Sequence, residues 1–264
     1  MNIDFHSHLK VSQQVPFSED YVKLMIAGAR KQGLTALCVT EHYGSFEIQR
    51  LFKYITSFES VGDTYLVHDM HIFTGLEIDA QEGGHFLAIG SFDTVQAIYN
   101  QLAPYLKQGE HPTYQQIASI VKLTDALFGL SHPYRPGKEH MPNLPIEDFS
   151  QLDFIDLNGK DIAMANNQPQ VEALSIALNR PMLGGSDTHF ATQYGITYTH
   201  FEDEITQVSN LRKAIAAGKY EIIHNHQTNK VQVESARAIK KIMAEIHKAG
   251  ADPLQIVCTA FAKM

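Results

Sequence analysis

Tryptophan is absent from the 264 residues, and cysteine occurs only at Cys38 and Cys258. Two cysteines cannot build a disulfide framework, so reduced thiols and a cytoplasmic location are the expectation. No apolar run approaches the roughly 20 residues that span a bilayer. The opening Met1-Asn2-Ile3-Asp4-Phe5-His6 has no basic stretch followed by an apolar one, so no secretion signal is read there. Positive charge is also scarce: 21 Lys and Arg stand against 29 Asp and Glu, a net charge of -8. That balance disfavours a nucleic-acid coat or an anionic membrane surface as partner. A Walker-type phosphate loop, a Gly-x-Gly-x-x-Gly turn, a Gly-x-Ser-x-Gly elbow and a Cys-x-x-Cys pair are all missing. What the chain does have is 14 histidines and a 44% hydrophobic content, enough for a sizeable core.

Apolar runs at Ile3–Phe5, Ala36–Thr40, His71–Ile78, Ala126–Ser131, Phe154–Leu157, Met182–Ser186 and Tyr220–Ile223 read as about seven strands. A return strand is expected at His85–Ile89, after Gly83-Gly84. Helical periodicity falls between strands: from an N-cap at Ser18 to Gly33, then at about 46–58, 94–107, 114–124, 171–178 and 205–217. Strands and helices in one alternation, without a linker or repeat, predict a single α/β domain over residues 1–264 around a parallel sheet. Periodicity alone leaves barrel and open sheet undecided. Both place chemistry at the carboxyl ends of the strands.

Those ends carry Asp4-Phe5-His6-Ser7-His8, Thr40-Glu41-His42, Glu77 with His85 opposite, Ser131-His132-Pro133, and Ser186-Asp187-Thr188-His189. Imidazoles and carboxylates suit a borderline divalent cation such as Zn, Mn or Fe. His6 and His8 are two apart and face the same way on a strand; Asp187 and His189 repeat the spacing. A lone His-x-His means little, since roughly 0.7 such pairs are expected by chance in this composition. His224 and His226 form another, read as a polar loop. The convergence of five strand ends is what carries weight. Glu41 could be a ligand, an acid/base group or an orienter of a histidine, and Arg135 could clamp a phosphoryl oxygen.

Taken in order, these pieces resemble the polymerase and histidinol phosphatase (PHP) superfamily of metal-dependent phosphoesterases. The match runs over about residues 3 to 190, and Ala216-Ala217-Gly218-Lys219 resembles that family's closing helix. The resemblance implies a distorted (β/α)7 barrel with two or three metal ions at its mouth. It further implies one ion on His6, His8, Glu77 and Asp187, and a second on Glu77, His85 and His132 with Glu77 bridging. A third would rest on His42 and His189. The histidine that the trinuclear pattern places soon after the first pair is replaced by Val11-Ser12-Gln13-Gln14. Two tight ions and a weaker third are therefore expected.

The function so implied is hydrolysis of a small phosphate ester, monoester or diester, histidinol phosphate being one family substrate. Glu77, Glu41 and Arg135 are the catalytic candidates. A metal-dependent amidohydrolase is the alternative, although those enzymes commonly bridge their ions with a modified lysine where this chain has Glu77. A non-catalytic, metal-stabilised domain is a third reading. A nuclease finds no concentrated basic and aromatic track in the sequence.

Overall fold

The computed structural model describes residues 1–162, 164, 166–225 and 229–261. Its strands in chain order are β1 (Asn2–Ser7), β2 (Ala36–His42), β3 (Ser60–Val61), β4 (Thr64–Val67), β5 (Met70–Asp79), β6 (His85–Gly90), β7 (Leu127–Ser131), β8 (Phe154–Asn158), β9 (Met182–Gly185), β10 (Thr197–His200) and β11 (Glu221–His224). The helices are α1 (Glu19–Lys31), α2 (Ile48–Ile55), α3 (Phe92–Gln108), α4 (Tyr114–Lys122), α5 (Asn167–Leu178), α6 (Val208–Ala216), α7 (Asn229–Lys248) and α8 (Pro253–Phe261).

One sheet runs in the order β11-β10-β1-β2-β5-β6-β7-β8-β9. Within it β1, β2 and β5 are parallel, as are β7, β8 and β9, while β6 is antiparallel to both its neighbours. Strand β10 pairs antiparallel with the first two residues of β1 and with β11. The far end of β1 is thereby left for the segment after β9. There the Asp187 amide donates to the His6 carbonyl at 2.6 Å and the His8 amide to Thr188 at 3.1 Å. This junction brings the sheet nearly to closure as a barrel. The expected run of seven strands corresponds to β1, β2, β5, β7, β8, β9 and β11, which all point one way.

Three expectations need correction. The sheet is mixed, because the short β3–β4 hairpin and β10 join it antiparallel along with the return strand. Strand–helix alternation also fails between β7 and β8. Pro133, Pro136, Pro142 and Pro145 remove amide donors there, and the connection holds only 3-10 turns at Gly137–Glu139 and Ile146–Gln151. Finally, α7 and α8 extend the helical part well beyond the closing helix α6. Elsewhere the local signals hold: Ser18 caps α1 by accepting from the Tyr21 amide, and Gly33 at φ 78° turns the chain out of it.

The inner face of the sheet is layered along the strands. Near their starts Ile3, Phe5, Ala36, Cys38, Phe73, Leu87, Ile89, Leu127, Phe154 and Leu183 form one apolar cluster. Following the same faces two residues at a time leads to His42 on β2, Glu77 and Asp79 on β5, His85 on β6, Ser131 on β7, and Asp156 and Asn158 on β8. Strand β1 would break this rule, since Phe5 and His6 are adjacent. A register shift between Asp4 and Ser7 inserts one extra residue against β2 and turns His6 and His8 to the inner face. Gly185 permits the closure: a Cβ there would lie 2.5 Å from the His6 Cβ.

Candidate metal centre

Glu77 is buried at the centre of the inner polar layer, and its two oxygens divide the histidines around it. Oε1 lies 2.8 Å from His85 Nδ1 and 3.0 Å from His132 Nε2. Oε2 faces His6 Nε2 at 3.3 Å, His8 Nε2 at 3.3 Å and His42 Nε2 at 3.2 Å. Asp187, from beyond β9, approaches the other side: its Oδ1 is 3.4 Å from His8 Nε2 and 3.8 Å from His6 Nε2. His189 stacks on His8 with ring centroids 4.2 Å apart. All eight residues proposed as ligands from the sequence therefore gather at one mouth.

Their ligand atoms fall into overlapping groups, each compact enough for one ion. These are His6 with His8 and Asp187, His6 with Glu77 and His132, His42 with Glu77 and His85, and His8 with His42 and His189. The last set gives the third position a histidine that the sequence argument had assigned elsewhere. A fifth group, His85 with His132 and Glu139, adds a carboxylate that went unnoticed. The donor set fits divalent cations on a further count. His6 Nε2, His8 Nε2 and Glu77 Oε2 are buried without a hydrogen-bond partner, a costly condition unless another species binds them.

Electrostatics within the cluster of side chains are polarised. Burial opposes ionisation of Glu77, but His42, His6 and His85 outweigh it and hold the carboxyl well below its ordinary range. Burial likewise opposes the charge on Asp187, and Lys160 and Arg135 overcome it. His8 and His85 are both raised to about 10 against burial, His8 by Asp187, Glu41 and Glu77, His85 by Glu77 and Asp79. His132 and His189 go the other way. Burial lowers both, reinforced by Arg135 for His132 and by Lys240 and Lys160 for His189.

Around the ligand atoms stand groups that aim them. His6 Nδ1 is 2.9 Å from Asp156 Oδ2, which also accepts from Asn158 Nδ2 at 2.8 Å. A proton on Nδ1 leaves Nε2 as the lone pair facing Glu77 and Asp187. Glu41 points away from the barrel interior. It accepts from the Leu9 and Lys10 amides at 2.8 and 2.9 Å and lies 3.4 Å from His8 Nδ1, so it orients His8. Asp79 braces His85 Nε2 at 2.9 Å. Arg135 spends Nε, Nη1 and Nη2 on Asp161, Glu139, Asp187 and Asn158, with the Asp187 contact at 2.7 Å. It holds a ligand carboxylate where the sequence suggested a phosphoryl clamp.

His132 and Asp187 adopt positive φ, 26° and 49°. Non-glycine residues are held in this region at a cost of order 1–3 kcal/mol, and such positions cluster at functional sites. Asp79, Glu139, Asp156, Asn158 and Lys160 join the site without having been expected there from the sequence. Alternation along β5 and β8 carried the signal for Asp79, Asp156 and Asn158, since each lies two residues beyond an inward position. The histidines without a strand-end placement have partners elsewhere: His111 pairs with Tyr43 and His68 with Tyr54. His224 closes β11, while His226 lies outside the described residues.

Comparison with known proteins places this geometry. Residues 166–220 match the family described as PHP-associated. The structure of PsfC from Pseudomonas syringae superposes with a TM-score of 0.71 at 20% identity, covering 91% of this chain and 97% of that one. The chain shares the fold of that structure. The lesion-specific endonuclease PfuEndoQ from Pyrococcus furiosus superposes with a TM-score of 0.64 at 19% identity, over 84% of this chain and 57% of its own. An amidohydrolase from Chromobacterium violaceum is more distant, at a TM-score of 0.51 and 12% identity over 85% and 98%. No curated protein matches the sequence. Among the described residues no helix is long and apolar enough to cross a membrane.

Proposed function

We propose that this protein is a PHP-type metal-dependent phosphoesterase that hydrolyses a small-molecule phosphate ester. The observation that carries the reading is Glu77, whose two oxygens face separate sets of imidazoles. A carboxylate so divided is built to join two cations. His6, His8 and Asp187 would complete one site with Glu77, and His85 and His132 the other. His42 and His189, with His8, offer the third position. Bound divalent ions supply Lewis acidity there, offsetting charge on phosphoryl oxygens and lowering the pKa of an attacking water.

The chain's own residues do the rest. Glu77 fixes the spacing of the two donor sets; Asp156 and Glu41 fix the tautomers of His6 and His8. Arg135 and Lys160 hold Asp187 ionised and in place. As the water oxygen bonds to phosphorus, the P–O bond to the alcohol breaks and the proton released by that water ends on the departing alkoxide. The net charge of -8 favours a small ester over a nucleic acid. One domain over residues 1–264 belongs to this reading, because Ala236, Met243 and Leu254 of the last two helices enter the same apolar cluster as α1. So does a reducing, cytoplasmic setting, in keeping with the free thiols of Cys38 and Cys258.

The test is to strip the protein of metal, reload it with Mn, Zn or Fe, and assay phosphomonoesters, phosphodiesters and amides. Ester hydrolysis confined to the loaded protein, with a melting temperature that falls on stripping, is the expected result. Preferred amide turnover, or inactivity towards every ester at full metal occupancy, would overturn the reading.

A further inference from the structure

The carboxylate of Glu139 stands at the mouth without a part in the chemistry described so far. It closes the 3-10 turn Gly137–Glu139 in the connection between β7 and β8, and its side chain is 43% exposed. One of its oxygens, a nitrogen of His85 and a nitrogen of His132 all lie within 4.8 Å of one another. At that spacing, a cation about 2.0–2.2 Å from each donor requires only small side-chain movements. Glu139 Oε2 accepts from Arg135 Nη1 at 3.0 Å, and the other oxygen has no hydrogen-bond partner among the described residues.

The backbone brings this carboxylate in. The Met141 amide donates to the Pro133 carbonyl at 2.9 Å, closing the connection into a loop that starts directly after His132. The Gly84 amide donates to the Lys138 carbonyl at 2.9 Å, which pins the loop on the tip of the β5–β6 hairpin, one residue before His85. Gly83 and Gly84 stand at φ 98° and 78°. A Cβ on Gly84 would meet Pro142 Cδ at 2.8 Å and Met141 Cα at 3.0 Å, so glycine permits both the turn and the approach. Arg135 supplies a second restraint, because the same Nη1 also donates to Asp187 Oδ2 at 2.7 Å. Asp187 turns its other oxygen to His6 and His8. Arg135 therefore grips two carboxylates by one oxygen each and sets both among imidazoles.

We propose that Glu139 is itself a metal ligand, joining His85 and His132 in holding a divalent ion on the β6–β7 side of Glu77. This rests on the metal centre invoked for ester hydrolysis and extends its donor set to a ninth residue. Without Glu139 that position has His85, His132 and one oxygen of Glu77, while the other has four donors in His6, His8, Glu77 and Asp187. Glu139 makes the two equal in donor number. An ion pair with Arg135 four residues earlier accounts for one oxygen only; it does not account for two buried imidazoles beside the group. The strand-end ligands sit on the sheet, whereas Glu139 sits on a loop. Loading this position therefore ties the β7–β8 connection to the centre.

The probe is Mn(II) titrated into stripped protein, with the free ion read by electron paramagnetic resonance and amide exchange over residues 133–145 followed by mass spectrometry. Glu139→Gln should weaken one class of site by at least about 10- to 100-fold, the loss typical of a group one step further from an ion, and leave another class as in the parent. Mn(II) should slow exchange across the connection in the parent and much less in the variant. Glu139→Asp, which keeps the charge, should retain part of the affinity; Glu147→Gln, exposed on the same connection, should match the parent. Parent-like affinity at every site in Glu139→Gln would overturn the assignment. So would equal weakening of all sites, which would make Glu139 a partner of Arg135 acting through Asp187. Binding is read without substrate, so a failure of the phosphoesterase reading would leave these isotherms unchanged, and the two failures are distinguishable.

Discussion

Asp156 makes a sharp demand on the metal-centre argument because it touches no proposed ion position. It acts only through His6, whose Nδ1 it holds at 2.9 Å. Asp156→Asn keeps shape and volume but weakens the acceptor that fixes the His6 tautomer, and it sets an amide beside that of Asn158. Loss of such a partner typically weakens metal affinity 10- to 100-fold, or about 1.4–2.7 kcal/mol. At saturating metal that energy is removed from the ligand-linked stability of the fold, lowering the metal-induced rise in Tm by about 3–10 °C for a chain of this size. The stripped variant should melt close to the stripped parent, since Asp156 Oδ1 is buried without a partner and removing its charge relieves a desolvation cost. Competition titration against a chelator of known affinity, paired with melting curves of stripped and loaded protein, measures both quantities. Unchanged metal affinity would refute the proposed role of His6 Nε2. An equal drop in Tm with and without metal would make Asp156 a structural group only.

Glu77→Gln should reduce ester turnover far more than His189→Ala, because Glu77 lies between both donor sets; equal rates and metal contents in the two variants would remove its bridging role. In the metal-free protein, His8 and His85 are raised to about 10. Their stabilising contribution is complete below the ordinary histidine value near 6.5 and is lost as pH rises towards about 10. Denaturant midpoints of stripped protein should therefore fall over that interval while metal affinity climbs; a midpoint that rises would contradict the assignment. Gly185→Ala would place a methyl 2.5 Å from His6 Cβ and 2.8 Å from the His6 amide nitrogen. A loss of about 1–3 kcal/mol is expected, with lower metal content, read by equilibrium unfolding and elemental analysis.

The histidines and carboxylates at strand ends were legible because ligand chemistry restricts residue type and the strands are short apolar runs. Direction in the sheet was less so. Thr197-Tyr198-Thr199-His200 contains no apolar run, and its pairing with Asn2 and Ile3 on one side and with β11 on the other makes it a strand. The partners Asp156 and Asn158 follow an alternation present in Phe154-Ile155-Asp156-Leu157-Asn158, but nothing local shows that they meet His6, about 150 residues away. Arg135 was misjudged for the same reason. Its carboxylate partners Asp161 and Asp187 come from later strand ends, and only the closed barrel assembles them. Helix α7 carries a clear amphipathic stripe, yet its place over the turn after His189 depends on tertiary packing alone.

The junction between β1 and the residues after β9 also sets an order in time. Asp187, the partner of His6 and His8, is synthesised about 180 residues after them. At ribosomal rates of about 5–20 residues per second, that is an interval of roughly 9–36 s. Throughout it the bulged strand has neither its closing backbone bonds nor its acidic counterpart, and joining such distant segments is entropically slow. Capture of an ion by the full donor set is therefore a late event in biogenesis. The rate of metal uptake during refolding would report barrel closure, separately from the earlier appearance of helical signal.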